Sequence, residues 1–171
     1  MGPLDEGNQA MSRVCIQRLD FDLAVEVAAL RHADHGVGAV ASFVGTVRDS
    51  NTGDAVSVLE LEHYPGMTER AIEAMIDETM RRFDVRAARV VHRIGKLQPG
   101  DQIVLVAVTS AHRGDAFRAC EFLMDYLKTQ APFWKKETTP TGDRWVDARV
   151  SDDQALARWG LAGSNAGAAD T

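Results

Sequence analysis

The chain has 171 residues, 45% hydrophobic and 26% charged, with 19 Lys plus Arg against 25 Asp plus Glu for a net charge of -6. That length supports one well-cored domain, and the composition is that of a globular chain, not a disordered or fibrous one. The acidic balance disfavours nucleic acid as a partner, because its binders carry a basic excess or stripe.

The first dozen residues, 1–12, are small and polar and are expected to form a disordered tail. Residues 13–18 alternate Val14 and Ile16 with Arg13 and Gln17, which predicts a strand. Asp22 stands where it can cap a helix whose Leu23, Val27 and Leu30 share a face and which ends near His35 and Gly36. Residues 37–47 are β-branched and alternating and run into a polar turn at 48–54. Residues 56–64 then read as the second arm of that hairpin, with Val56, Val58 and Leu61 inward. Helical spacing returns over 68–83 through Ile72, Met75, Ile76, Met80 and Phe83. Two further strands, 88–94 and 103–109, are joined through Pro99-Gly100-Asp101, a strong turn signal.

Residues 114–130 read as a helix with Phe117, Cys120, Leu123, Met124 and Leu127 as its apolar stripe, and Pro132 ends it. Residues 133–138 and 145–149 flank a turn at 140–143, a short helix follows over 152–159, and 160–171 is a second expected disordered tail. Between the tails, 13–159 reads as a single domain without repeat or linker. Helices and strands do not alternate regularly and tight turns join neighbouring strands, so the predicted class is α+β on a mainly antiparallel sheet.

Cys15 and Cys120 are too few for a disulfide framework and lie in no zinc-type spacing. A reducing, cytoplasmic setting follows as the expectation, with no membrane association: no stretch is long and apolar enough to span a bilayer, and the start lacks signal-peptide order. No Walker loop, GxGxxG, HExxH or GxSxG motif is present, so no metal site and no cofactor is expected.

The chemistry concentrates in the last third of the chain. Ser110-Ala-His112-Arg113-Gly114 falls where a strand enters a helix, so His112 and Arg113 would join unpaired N–H groups and the positive helix end as an anion site, or else form a plain surface pair. Lys128 falls along the apolar edge of its helix, where it either snorkels or, held in a partly dry cleft, acts as a nucleophile or acid-base group. Lys135 and Lys136 are adjacent strand residues, so at most one aims into a shared pocket. Arg144 on the partner arm neighbours that pocket or pairs across the strands with Glu137. Arg48 opens the polar loop, and His63 on its strand reads as a packed or capping histidine. Between 112 and 144 six basic residues face five acidic ones, a local surplus of +1 that leaves the rest of the chain at -7. The residues describe a pocket for a small phosphate- or carboxylate-bearing ligand with a lysine available for chemistry.

Five stretches in order carry a specific likeness: Gly38-Ala-Val-Ala-Ser-Phe-Val-Gly-Thr-Val-Arg48, Leu59-Glu-Leu-Glu-His-Tyr-Pro-Gly-Met67, Val91-His-Arg-Ile-Gly95, Thr109-Ser-Ala-His-Arg113 and Met124-Asp-Tyr-Leu-Lys-Thr-Gln-Ala-Pro-Phe-Trp-Lys135. Over about residues 37–159 the chain resembles the large, catalytic subunits of molybdopterin synthases. The resemblance implies an α/β hammerhead with an additional antiparallel sheet. It also implies a sulfurtransferase that moves two sulfurs to cyclic pyranopterin monophosphate, forming the dithiolene in molybdenum cofactor biosynthesis. The implied donor is a small ubiquitin-like sulfur-carrier subunit whose C-terminal Gly-Gly ends in a thiocarboxylate. The implied assembly is a heterotetramer around a homodimer of catalytic subunits.

By the same resemblance Lys128 lies near the donor's C-terminus, where an amine beside an acyl group can form an amide-like link, and Lys135 is a second catalytic lysine. Arg48 with its neighbour Val47, His112 and Arg113 correspond to pterin- and phosphate-binding positions, and Lys136 and Glu137 fall in the substrate-binding stretch. Thr46 stands where some relatives carry a basic residue. Two other classes are open to the residues alone. A non-catalytic docking module for a ubiquitin-like protein gives no reason for a phosphate pocket, and a phosphoryl-transfer enzyme would want acidic metal ligands that only Asp115 and Asp143 offer.

Overall fold

The computed structural model describes residues 11–146 and 150–161. Most of each expected tail, and residues 147–149 of the expected strand 145–149, lie outside the described residues.

Two four-stranded sheets organise the chain. The first has the order β1 (Val14–Gln17), β6 (Ala87–Arg93), β8 (Gln102–Ser110) and β2 (Ala39–Thr46). Its β1–β6 pair is parallel and the other two pairs are antiparallel. Helices α2 (Met67–Arg82) and α3 (Arg113–Gln130) cover one face, and α1 (Leu23–Leu30) lies against the other. Strand β8 shows why. Its Val104, Val106 and Val108 pack with Ile72, Ile76 and Leu123, while Leu105 and Ala107 pack with Phe21 and Val91. A strand buried on both faces reads as an unbroken apolar run, as β8 does.

The second sheet is wholly antiparallel, in the order β10 (Gly142–Trp145), β9 (Phe133–Thr139), β5 (Val58–His63) and β7 (Gly95–Leu97). A third cluster, Val47, Leu59, Leu61 and Leu97 with Ile103 against it, joins it to the first sheet. The α+β class and the mainly antiparallel pairing agree with the sequence reading.

Several local expectations need correction. Strands β2 and β5 are not arms of one hairpin: β2 pairs with β8, and β5 pairs with β9 and β7. The turn signal between them is satisfied by a two-residue ladder of its own, β3 (Ser50–Asn51) with β4 (Asp54–Ala55). Along β5 the buried side chains are Leu59 and Leu61, with Val58 only half-buried. Helix α1 stops at Leu30, capped at its start by Asp22 as expected, and Ala33 beyond it adopts φ 58°. Phe117 is 67% exposed, because the stripe of α3 runs through Ala116, Ala119, Cys120, Leu123 and Leu127, about 100° around the helix from it. The short strand β7 was not anticipated; three residues, Gly-Lys-Leu, carry too little pattern to declare one.

Candidate active site

Where the two sheets meet the end of α3, a cavity of about 550 Å³ opens. Each wall has a local cause. Helix α3 ends at Gln130, with Ala131 already extended as its C-cap, because Pro132 cannot continue it, and this turns the chain directly into β9. The turn leaves Lys128 in the last helical turn, exposed at the cavity rim, and carries Lys135 in from the other side. Alternation along β9 points Phe133, Lys135 and Glu137 at the cavity. Lys136 goes to the opposite face, with its Nζ 3.6 Å from a Glu60 carboxylate oxygen, 3.9 Å from one of Asp143, and 5.9 Å from the Trp145 ring centroid.

The end of β2 supplies Thr46, Val47 and Arg48. Val47 is buried and fixed by its backbone, donating to the Asp101 carbonyl at 2.9 Å and accepting from Gly100 N–H at 2.8 Å. Arg48 is exposed on the loop that follows. Glu137 is 6% exposed, and both its oxygens are engaged. One accepts from Asn51 Nδ2 at 2.7 Å and the other from Arg144 Nε at 3.1 Å, the cross-strand pairing anticipated for Arg144.

His92, absent from the sequence-level candidates, also lines the cavity. Its ring stacks on Phe133 with centroids 3.8 Å apart, and Nδ1 lies 2.8 Å from the Arg93 carbonyl. A carbonyl only accepts, so Nδ1 carries the proton and Nε2 is left with its lone pair. Burial pushes this imidazole down to about 3, with nearby Lys135 and His63 acting in the same direction and the hydrogen bond to the Arg93 carbonyl opposing them. A lone histidine in an apolar strand gave no signal beyond its place in the Val91-His-Arg-Ile-Gly95 stretch. His63 is itself mostly buried, with Nε2 3.3 Å from a Glu69 oxygen, in keeping with the packed role expected of it.

His112 and Arg113 lie elsewhere. They stand exposed at the start of α3, and His112 is its N-cap residue. Fifteen residues of helix separate Arg113 from Lys128, roughly 22 Å at the standard rise. Neither residue lines the cavity. Within one chain, then, Arg48, Val47, Lys128, Lys135 and Glu137 come together, while His112, Arg113 and Lys136 do not.

Among the described residues no cluster of His, Cys, Asp and Glu could hold a metal ion, and no helix is long and apolar enough to cross a membrane. The polar lining of the cavity holds Lys128, Lys135 and Arg48 together with the acidic Glu137 and Asp152, over a floor of Leu59, Ile103, Val104 and Met124. Such a site suits an anionic heterocycle, whose ring packs on the apolar floor while its charge meets the cations.

The family model of the MoaE protein matches residues 16–130. The molybdopterin synthase catalytic subunit of Ralstonia nicotianae is 62% identical over 159 residues, covering 93% of this chain and 90% of that one. Its counterpart in Vibrio cholerae is 56% identical over 147 residues, covering 86% and 97%. Among solved structures, the molybdopterin biosynthesis MoaE protein from Burkholderia ambifaria superposes with a TM-score of 0.77 at 60% identity, covering 88% of this chain and 99% of that one. The chain belongs to the MoaE family.

Proposed function

We propose that this chain is the catalytic subunit of a molybdopterin synthase, a sulfurtransferase of molybdenum cofactor biosynthesis. It takes one sulfur from the C-terminal thiocarboxylate of a small ubiquitin-like subunit in each of two rounds and places the two sulfurs on cyclic pyranopterin monophosphate to form the dithiolene. The observation that carries this reading is the single cavity that gathers Lys128, Lys135 and Arg48 in a chain of this family.

Lys128 at the rim meets the incoming tail, where its ammonium pairs with the thiocarboxylate anion. A Gly-Gly terminus offers no side chains, so a narrow approach lined by backbone groups suits it. Lys135, deeper on β9, faces the pterin, and Arg48 takes charge on the phosphate.

The reading includes a homodimer core. His112 and Arg113 belong to the proposed phosphate site, yet they stand roughly 22 Å along α3 from Lys128, beyond the reach of either side chain. They serve a cavity only if it belongs to a second copy of the chain. A C2 pairing supplies that arrangement twice, once for each cavity. A cytoplasmic setting completes the reading, supported by two cysteines, Cys15 and Cys120, that are both unpaired.

The test is reconstitution. Purified chain, thiocarboxylated small subunit and cyclic pyranopterin monophosphate are expected to yield the dithiolene product without added metal. Binding of the small subunit with no turnover of the pterin would instead favour a docking module.

A further inference from the structure

The loop that carries Arg48 has little to hold it by itself. Residues 48–56 cross from the first sheet to the second, and their internal ladder consists of two residue pairs, Ser50 with Ala55 and Asn51 with Asp54. Thr52 and Gly53 at its tip both have positive φ. A ladder of that length is marginal in water without outside support. Nevertheless Arg48, Ser50 and Asn51 all form cavity wall, so the loop's placement determines the shape of the pocket.

Beyond that ladder and one backbone bond from Val56 N–H to the Asp49 carbonyl, support comes from two side chains of the second sheet, Arg144 and Glu137. Arg144 on β10 reaches the loop twice: Nη1 donates to Asp54 Oδ2 at 2.6 Å and Nη2 to the Asn51 carbonyl at 3.1 Å. Its Nε donates to Glu137 at 3.1 Å, and the second oxygen of Glu137 accepts from Asn51 Nδ2 at 2.7 Å. Glu137 is buried and its charge needs a partner; Arg144 supplies it and spans to the loop in the same stroke. The fork matters, because only a guanidinium offers donors in three directions from a fixed plane.

We infer that Arg144 and Glu137 latch the 48–56 loop as a wall of the substrate cavity, which makes Arg144 a positioning residue for substrate binding. Glu137 then acts through Asn51 and Arg144, with both carboxylate oxygens committed to the latch. The inference rests on the sulfur-transfer reading for the identity of the substrate, though the latch itself is a feature of the chain alone.

Steady-state kinetics with cyclic pyranopterin monophosphate and thiocarboxylated small subunit test it, using wild type, Arg144→Ala, Arg144→Lys and Asp54→Ala. Releasing the loop is expected to raise KM for the pterin about tenfold in Arg144→Ala, the effect of losing charged hydrogen bonds, with kcat little changed. Arg144→Lys restores the charge beside Glu137 without the fork and is expected to keep a raised KM. Asp54→Ala cuts the latch from the exposed loop side, so it reports even if Arg144→Ala fails to fold. Limited trypsin digestion gives a readout independent of turnover, with faster cleavage after Arg48 expected in both alanine variants. An unchanged KM in Arg144→Lys and Asp54→Ala, or a fall in kcat at constant KM, overturns the latch. Absence of dithiolene from the wild type would instead overturn the sulfur-transfer reading and leave the trypsin comparison to decide the latch.

Discussion

Lys135 and Lys136 are neighbours in the chain that open onto opposite faces of one sheet: Lys135 lines the cavity, while Lys136 lies near Glu60 and Asp143 outside it. Strand alternation imposes the split, and it separates their chemistry. Lys135→Ala is expected to lower sulfur transfer by at least about a hundredfold, the range for removing a positioned charged group from a reacting site. Lys136→Ala, which removes two long, partly exposed ion pairs away from the cavity, is expected to stay within about threefold of wild type. Parallel kcat measurements on the two variants check this. Equal losses would mean that Lys136 reaches the substrate from the far face.

If His112 and Arg113 serve the cavity of a second copy, defects at the two ends of α3 must complement one another. Lys128→Ala and His112→Ala are each expected to be inactive or nearly so. A mixed dimer of the two contains one site with both defects and one site with neither. Random mixing after subunit exchange makes half the dimers mixed, so about a quarter of wild-type activity is expected to return. Activity measured before and after exchange decides the matter, and no recovery would place His112 outside the shared site.

His92 predicts a pH dependence of stability. Its folded-state value, pushed down to about 3, lies below the ordinary histidine value of 6.5, so the unfolded chain binds a proton that the folded chain does not between those limits. Its contribution is therefore fully present above about pH 6.5 and is lost as pH falls toward 3, at up to about 1.4 kcal/mol per pH unit. Lys135 on β9 and His63 on β5 are the titratable groups that face it. His92→Phe, which preserves the stacking on Phe133, is expected to be less stable at pH 7. It is also expected to show a shallower loss between pH 6 and pH 4 in urea denaturation. An identical slope would mean that His92 does not carry the dependence.

These outcomes depend on features that were unequally visible in the sequence. Helix α3 was legible because its period persists over five turns and Pro132 marks its end, and that stretch alone set Lys128 and Lys135 on either side of a turn. The alternation that separates Lys135 from Lys136 was equally plain. Sheet membership was not. The turn after Arg48 is real, but the strands leaving it, β2 and β5, are claimed by different sheets, and pairing is decided by burial of Leu59 and Leu61 against Leu97 and Val47. Phe117 misled because an apolar residue one position off the stripe fits a loose helical count. Arg144's grip on Asp54, 90 residues away, has no local pattern at all. The family likeness named His112 and Arg113 without the chain saying which cavity they serve.

The most direct test of the account is the role of Lys128. It is exposed in the single chain, so Lys128→Ala should fold normally, and circular dichroism and thermal melting can verify that. With thiocarboxylated small subunit and cyclic pyranopterin monophosphate supplied at saturation, the variant is expected to bind both and form no dithiolene within detection. Near-normal turnover by a folded Lys128→Ala protein would contradict the central claim that sulfur transfer takes place at the rim of this cavity.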